Sequence, residues 1–254
     1  MGGGEHGGLQ RWQLTITHLS LGERKLLNTN ESPALLRCRA FLSSEVSNMD
    51  IVYEAATKYV ALEQFEYEFT LSQNRRKLIV RLNFEDGDFF HLCGLQYLKD
   101  ISIPQNRRKT LENILMKKRI TEAVLEQSNV YRHPRPDKDI KGRIEELRFL
   151  EQYLDTDNII RVFTLRNQRN MSSFINADYI IESQFRESSD IVYIFLKQRD
   201  EKPDYCGVVS FFKKDSAVYG GDILYWMQKK KTSIYTQESI VLQRHPKYKE
   251  FIKQ

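Results

Sequence analysis

The sequence predicts an α+β fold in which N-terminal and middle helices are followed by an antiparallel β-sheet. Two observations lead to this fold class. Apolar residues recur at helical spacing over about residues 46–64 and again between residues 107 and 154, and a period of two replaces this spacing near Asn158. The strands after Asn158 are separated by short polar or glycine-containing connections, which are typical of antiparallel neighbours.

Length and composition describe an ordered globular protein. The chain has 254 residues, of which 41% are hydrophobic and 29% charged, and it contains only 12 glycines and 6 prolines. This composition excludes an intrinsically disordered chain and leaves enough residues for a large core. We expect an N-terminal extension over residues 1–45, with a flexible glycine-rich start and a short strand, and one domain over residues 46–254.

Hydropathy and cysteine content indicate the cellular compartment in which we expect the protein. No apolar run approaches the ~20 residues that a membrane-spanning helix needs, and the N-terminus lacks the apolar core of a signal peptide. The three cysteines, Cys38, Cys93 and Cys206, lie far apart, which argues against a disulfide framework and against a zinc site. We therefore expect a cytoplasmic protein with no membrane contact, no cofactor and no obligate metal.

The charge permits a polyanionic partner. The net charge is +5, and the basic residues form short clusters that can follow a phosphate backbone. These clusters are Arg75–Lys77, Arg107–Lys109, Lys117–Arg119, Lys213–Lys214 and Lys229–Lys231. Acidic residues are nearly as numerous, 34 against 39, so the charge alone does not establish nucleic-acid binding.

The elements can be placed in order. A helix at residues 46–64 precedes a β-hairpin, whose strands at 65–71 and 77–84 are joined by a polar turn. Gly87 ends the second strand, and Asp88 is predicted to cap a short helix that carries His91 in its first turn. Further helices are predicted at residues 107–118, after Thr121 and at residues 137–154. Strands are predicted at residues 158–165, 177–183, 190–197, 205–212 and 222–227, with an edge strand at residues 239–242.

His91 is the first candidate for chemistry. It lies where a strand is followed by a helix, a common position for catalytic side chains, and an imidazole titrates near neutral pH. His91 also shares a helical stripe with Leu95 and Leu98, which is the pattern of a hydrogen-bonded core histidine. The sequence leaves both interpretations open.

The strand at residues 191–197 has two different faces. Val192, Ile194 and Leu196 form an aliphatic face suited to the core, and the opposite face carries Tyr193, Phe195 and Lys197. Aromatic rings beside a cation can stack nucleotides and hold phosphate. The other interpretation is that both rings simply pack beneath a helix.

Several catalytic motifs are absent from the sequence. There is no phosphate-binding glycine loop, no Gly-x-Ser-x-Gly elbow, no His-Glu-x-x-His and no Cys-x-x-Cys. ATP-driven chemistry, metalloprotease chemistry and α/β-hydrolase chemistry are therefore disfavoured.

A family resemblance begins at the His91 segment. Residues 89–101 read FFHLCGLQYLKDI and resemble the F-x-H-L-x-G-L-x-x-L-x-D segment of a phage- and mobile-element-associated nuclease-like domain. This domain is the fourth type of the phage barnase–EndoU–colicin–RelE-like group. Similar segments follow in the same order at Ile114–Leu115, Arg119–Thr121, Ile144–Leu154, Ala177–Tyr179, Ile191–Leu196, Tyr205–Cys206, Ser210–Phe212 and Leu224–Tyr225. The resemblance covers roughly residues 46–245.

The resemblance implies a metal-independent ribonuclease site on an antiparallel sheet, in a toxin or phage effector that acts on RNA. Metal-free RNA cleavage needs a base for the 2′-hydroxyl proton, an acid for the leaving oxygen and cations for the charged phosphorane. We expect His91 to be the acid or base, Lys197 the cation and Ser210 a hydroxyl donor. The expected substrate-binding residues are Tyr193, Tyr225, Arg119 and Lys213.

A binding module without catalysis is the competing hypothesis. The chain departs from the family pattern at two cationic positions, since Cys206–Val209 precedes Ser210 without an arginine and Trp226 replaces a lysine after Tyr225. Such a phage or mobile-element protein would grip RNA or block a host protein. A structural phage protein is a third hypothesis, and it would need a large self-association surface.

Overall fold

The computed structural model describes residues 49–104, 106–135, 138–163, 175–184, 190–214 and 219–253. The predicted N-terminal extension, residues 1–45, lies outside the described residues. None of the helices in the described part of the chain is long and apolar enough to cross a membrane.

Helices and strands are grouped along the described chain: a helix and two strands come first, a run of short helices follows, and six strands and a last helix end it. The helices are α1 (Ile51–Leu62), α2 (Asp86–Leu92), α3 (Arg107–Leu115), α4 (Glu122–Leu125), α5 (Asn129–Arg132), α6 (Ile140–Leu147), α7 (Leu150–Asp155) and α8 (Tyr248–Phe251). The strands are β1 (Phe65–Gln73), β2 (Arg76–Leu82), β3 (Asn158–Val162), β4 (Tyr179–Ser183), β5 (Ile191–Gln198), β6 (Tyr205–Lys214), β7 (Ile223–Ser233) and β8 (Ser239–Arg244). The predicted helix at residues 137–154 is interrupted and forms α6 and α7.

The sheet is closed and mixed, which corrects the predicted fold class. The strand order is β1-β2-β6-β5-β4-β3-β7-β8, and β1 also pairs with β7, so seven strands form a ring and β8 is added beside β7. The pairing of β2 with β6 is parallel, whereas the other pairings are antiparallel. The prediction of helices followed by an antiparallel sheet is wrong. The hairpin of β1 and β2 belongs to the same sheet as the later strands, and α2–α7 lie between β2 and β3 in the sequence.

The predicted hairpin is confirmed. β1 and β2 pair in antiparallel register from Tyr67 opposite Leu82 to Gln73 opposite Arg76. Asn74 and Arg75 form the turn with φ values of 50° and 64°. Two successive residues in the left-handed region suit the right-handed twist of a two-residue hairpin.

The start of α2 differs from the prediction. Glu85, rather than Asp88, is the N-cap residue, and Asp88 lies three residues later. The Asp88 side chain accepts a hydrogen bond from the Glu85 backbone N–H at 3.2 Å, so the two residues form a reciprocal capping box. His91 therefore lies in the last turn of α2 instead of the first.

A buried lysine closes the C-terminal end of α7. Lys229 on β7 is fully buried, and its Nζ donates hydrogen bonds to the carbonyl oxygens of Leu154 at 2.9 Å and Thr156 at 2.6 Å. The last carbonyls of a helix have no partner within the helix, so this lysine satisfies two of them. Burial lowers the pKa of Lys229 to about 8.

Strand β5 is buried on both faces. Its aliphatic residues Val192, Ile194 and Leu196 join the main core, which α1 and α2 share with the inner faces of the strands. Tyr193 and Phe195 point the other way into a second cluster, together with Phe163, Ile180 and Tyr219. The predicted division of faces is confirmed, and both rings are fully buried.

Candidate functional site

An arginine that follows β5 links the sheet to α2. The Arg199 side chain donates from Nε to Asn83 Oδ1 at 2.7 Å and from Nη2 to Asp88 Oδ2 at 2.6 Å. Nη2 also donates to the Asn83 carbonyl oxygen at 3.1 Å, and Nη1 lies 3.5 Å from a carboxylate oxygen of Glu85. The guanidinium is largely enclosed, so it fixes the end of β5 against the start of α2.

Gly207 makes room for this guanidinium. Gly207 lies on β6 opposite Lys197, and a Cβ atom added to it would stand 2.6 Å from Cζ of Arg199. Real side chains do not approach this closely. The position of Arg199 therefore depends on the missing side chain at residue 207.

His91 lies one helical turn after Asp88, in a half-buried position. Burial and the positive charge of Arg107 lower the pKa of the imidazole, whereas the charge of Asp88 and the side chain of Gln96 act in the opposite direction. The ring of Phe90 packs edge-on against the imidazole with a centroid separation of 5.7 Å. The net lowering of the pKa favours the neutral imidazole, which is the form that accepts a proton.

The first turn of α3 brings cations to this histidine. Arg107 packs on α2 so closely that a Cβ added to Gly87 would lie 3.6 Å from its Cδ. Arg108 Nε is 3.4 Å from a carboxylate oxygen of Asp86, the first residue of α2. Positive charge therefore borders His91 on the α3 side.

A second titratable group near α2 keeps its proton at neutral pH. The pKa of Glu63 rises to about 8, because the carboxyl is buried and because the charge and hydrogen bond of Asp86 disfavour its ionisation. The carboxylates of Asp88 and Glu85 add to this effect. Near this carboxyl, the Tyr59 hydroxyl donates a hydrogen bond to the Glu85 carbonyl oxygen at 2.9 Å.

The structure does not bring the three predicted catalytic residues into contact. Lys197 forms an ion pair with Asp178 at 3.0 Å, and Ser210 is half-buried opposite Phe195. Within the described residues, no hydrogen bond or ion pair joins His91 to Lys197 or to Ser210. Lys197 does lie at the same end of β5 as Arg199, because it faces the Gly207 on which the guanidinium rests.

The predicted substrate-binding residues are spread over several elements. Tyr193 is fully buried, with its ring 4.8 Å from that of Tyr219, so it offers no surface for a base in this conformation. Tyr225 is 68% exposed on β7. Arg119 is exposed after α3, and Lys213 on β6 forms ion pairs with Glu146 and Asp190 at 3.2 and 3.5 Å.

Sequence patterns missed the residues that surround His91. Arg199 carries only a weak signal, namely a cation directly after a strong strand pattern, and Arg107 was seen as one member of a basic cluster. Asp88 was assigned a capping role, which it has, but its ion pair with Arg199 at 2.6 Å could not be inferred from spacing.

The described residues contain neither an activated thiol nor a group of side chains suited to a metal ion. Cys93 and Cys206 are buried free thiols, and burial raises the pKa of both, that of Cys206 to about 11. Neither is a thiolate at neutral pH, so neither is an activated nucleophile. Across the described ranges, no three His, Cys, Asp or Glu side chains are grouped in a way that could hold a metal ion.

Comparison with known proteins identifies the family. Residues 51–245 match the family model described as phage-Barnase-EndoU-ColicinE5/D-RelE like nuclease4. Neither the curated proteins nor the solved structures gave a match. The family match spans most of the chain and confirms the resemblance seen in the sequence. The protein belongs to the phage-Barnase-EndoU-ColicinE5/D-RelE like nuclease4 family.

Proposed function

We propose that this protein is a metal-independent ribonuclease, acting as a toxin or phage effector, in which His91 is the general base. One observation carries the proposal: the half-buried His91 has a pKa lowered by burial and by the charge of Arg107, and it lies one helical turn after Asp88, whose carboxylate pairs with Arg199. Perturbed histidines beside such charges are typical of functional sites. The nuclease-like family supports a nucleic-acid substrate.

The proposed reaction begins with proton transfer to the neutral imidazole. His91 takes the proton of an RNA 2′-hydroxyl, and the resulting oxygen attacks the adjacent phosphorus atom. The bond from phosphorus to the 5′-oxygen breaks, the 5′-oxygen takes up a proton, and a 2′,3′-cyclic phosphate remains. The charge of Arg107 acts on the imidazole, so we assign this cation to the negative charge that develops on the phosphorane.

The proton for the 5′-oxygen needs a donor that is protonated at neutral pH. Glu63 meets this requirement, since its pKa of about 8 leaves the carboxyl mostly neutral at pH 7. Acid–base catalysis requires a base and an acid whose pKa values are displaced in opposite directions, so we propose Glu63 as the acid on this ground. Lys197 stays a proposed second cation because it lies beside Arg199, and Ser210 stays a proposed hydroxyl donor.

A binding module is the second candidate function, and a specific observation favours it. The ring of Tyr193 is buried in a cluster, and Lys197 is paired with Asp178, so two residues expected to contact RNA are engaged within the protein. In this case the chain grips RNA or a host protein without cleaving it.

Incubation of the purified protein with end-labelled total RNA in the presence of EDTA separates the candidates. Fragments with 2′,3′-cyclic phosphate ends support the metal-independent nuclease. Retardation of intact RNA in a gel supports a binding module for RNA. The absence of both cleavage and retardation supports a protein partner. Cleavage only after addition of a divalent cation would contradict metal independence while keeping the nuclease assignment.

A further inference from the structure

Two groups of basic residues lie at the two ends of α3. The cations lie in the first turn of the helix and directly after its end, and all of them are exposed. We call this surface the basic ledge and define it by Arg107, Arg108, Lys109, Lys117, Lys118 and Arg119. Three carboxylates are close to it: Asp86, which faces Arg108, Glu85, whose pKa the charge of Arg108 helps to lower, and Glu112, which pairs with Lys117 at 2.8 Å. Six cations against three carboxylates leave the ledge with a net positive charge.

The first turn of α3 has its charges in an unfavourable arrangement for a helix. Three consecutive cations occupy the positively charged end of the helix dipole, and this turn contains no acidic residue. Cations at this end destabilise a helix, whereas carboxylates stabilise it. Asn106 still caps the helix, accepting a hydrogen bond from the Lys109 backbone N–H at 3.1 Å. Positions that break a local rule of stability are expected where function requires them.

The ledge begins at the candidate catalytic histidine. Arg107 acts directly on the pKa of His91 and packs over Gly87, and Arg108 contacts the first residue of α2. From there α3 extends for nine residues, about 14 Å at the rise of an α-helix, to the second group of cations. The ledge therefore has one group of cations beside the imidazole and a second group about one helix length away.

Most of these cations are available to a ligand. Within the described residues, the side chains of Arg107, Lys109 and Arg119 form no ion pair. The Arg108 side chain is 84% exposed, so its contact with Asp86 is a solvated surface pair that competes weakly with a phosphate. Lys118 is exposed, and its Nζ lies 5.5 Å from the centroid of the Tyr53 ring.

We propose that the basic ledge binds the phosphate backbone of an RNA strand and carries that strand past His91. This inference rests on the proposed function for its substrate class, and it places RNA binding on a helix instead of on the aromatic face of β5. RNA is favoured over an acidic protein because the cations begin beside the imidazole that would act on the RNA 2′-hydroxyl.

The chain offers a matched control for this inference. Arg75, Arg76 and Lys77 form an equally charged and exposed cluster at the turn between β1 and β2. α2 follows the opposite end of β2, so this turn is about 20 Å from the ledge by the length of the strand. Replacing three cations by glutamate changes the net charge by the same amount at either place.

The test measures binding of a 2′-O-methyl RNA oligonucleotide, which cannot be cleaved by 2′-hydroxyl attack. We expect the triple variant Arg107→Glu, Arg108→Glu, Lys109→Glu to bind at least 10-fold more weakly than the wild type. Its slope of log affinity against log salt should be smaller by about 2, since three phosphate contacts on a single strand are lost. The variant should melt no lower than the wild type, because glutamate suits a helix start.

The hairpin variant Arg75→Glu, Arg76→Glu, Lys77→Glu should keep most of the affinity and the salt slope. Equal losses in both variants, a larger loss in the hairpin variant, or no binding by the wild type would overturn the proposal. Failure of the proposed function looks different: the wild type would bind the oligonucleotide through the ledge but leave natural RNA intact. Capture of an acidic protein by the ledge, without RNA affinity, would assign the surface to a protein partner and contradict RNA binding.

Discussion

Arg199 donates hydrogen bonds to both carboxylate oxygens of Asp88, at 2.6 and 3.4 Å, across 111 residues of sequence. This ion pair ties the end of β5 to the start of α2 and neutralises the carboxylate that lies one helical turn before His91. Asp88 alone would raise the pKa of the imidazole, so its pairing with Arg199 helps to keep His91 neutral. Arg199 is thus a positioning residue for the candidate base.

Replacement of Arg199 by methionine should release the Asp88 carboxylate. We expect the pKa of His91 to rise, because an unpaired carboxylate favours the imidazolium form. The loss of hydrogen bonds to a largely enclosed cation should also lower the free energy of unfolding by about 1–3 kcal/mol. An NMR titration of the His91 ring protons measures the first effect, and Arg199→Lys, which keeps the charge, should restore much of it. An unchanged His91 pKa in Arg199→Met would remove Arg199 from this role.

Alanine at position 207 should displace the guanidinium of Arg199. The added Cβ would stand 2.6 Å from Cζ, and the overpacking should lower the free energy of unfolding by about 1–3 kcal/mol. Gly220→Ala is the matched control, since a Cβ at residue 220 meets no atom within 4 Å. Denaturant unfolding of the two variants compares them. Equal stability of Gly207→Ala and Gly220→Ala would show that the contact with Arg199 is not a constraint.

The Glu63 carboxyl should make stability depend on pH in a definite direction. Its pKa is about 8 in the folded protein against a usual value of 4.5. The folded protein therefore holds a proton that the unfolded chain releases. The stabilising contribution is complete below pH 4.5 and is lost as the pH rises from 4.5 to about 8.

Glu63→Gln removes this titration while keeping a similar shape. We expect the melting temperature of the variant, relative to that of the wild type, to increase steadily between pH 5 and pH 8. Glu112→Gln, at an exposed position on α3 where Lys117 lowers the pKa of the carboxyl, should show no such increase. A constant difference between Glu63→Gln and the wild type across this range would mean that Glu63 is ionised in the folded protein.

Local features of the fold could be predicted from the sequence, but its closure could not. The hairpin of β1 and β2 and the strands after Asn158 follow from period-two patterns and turn residues, which are local signals. The ring closes because Phe65 on β1 pairs with Ser233 on β7, and a hydrophobic pattern does not state which distant strand is its neighbour. For the same reason, the sequence does not predict the parallel pairing of β2 with β6.

In the candidate site, as in the fold, local features could be predicted and long-range contacts could not. The sequence singled out His91 by a local pattern, a strand followed by a helix, although the structure places it in the last turn of α2 and not at the junction. Arg199 could not be singled out, because its importance comes from contacts with Asn83 and Asp88 that only the folded chain creates. Tyr193 lies on the strand face opposite the aliphatic residues, and this pattern fits either an exposed ring or a second core. The ring packs against Tyr219 and belongs to a second core.

The most direct measurement of the central claim is the rate of RNA cleavage by His91→Ala with EDTA present, together with its melting temperature. Proton transfer by a positioned histidine is typically worth about 10²–10⁴-fold in rate, so we expect cleavage to fall by at least 100-fold. The half-buried imidazole should cost less stability than the about 2–5 kcal/mol of a fully buried leucine, so melting should stay close to the wild type. His133→Ala, which removes an exposed histidine, should cut RNA normally. Cleavage by His91→Ala at the wild-type rate would contradict the assignment of His91 as the general base.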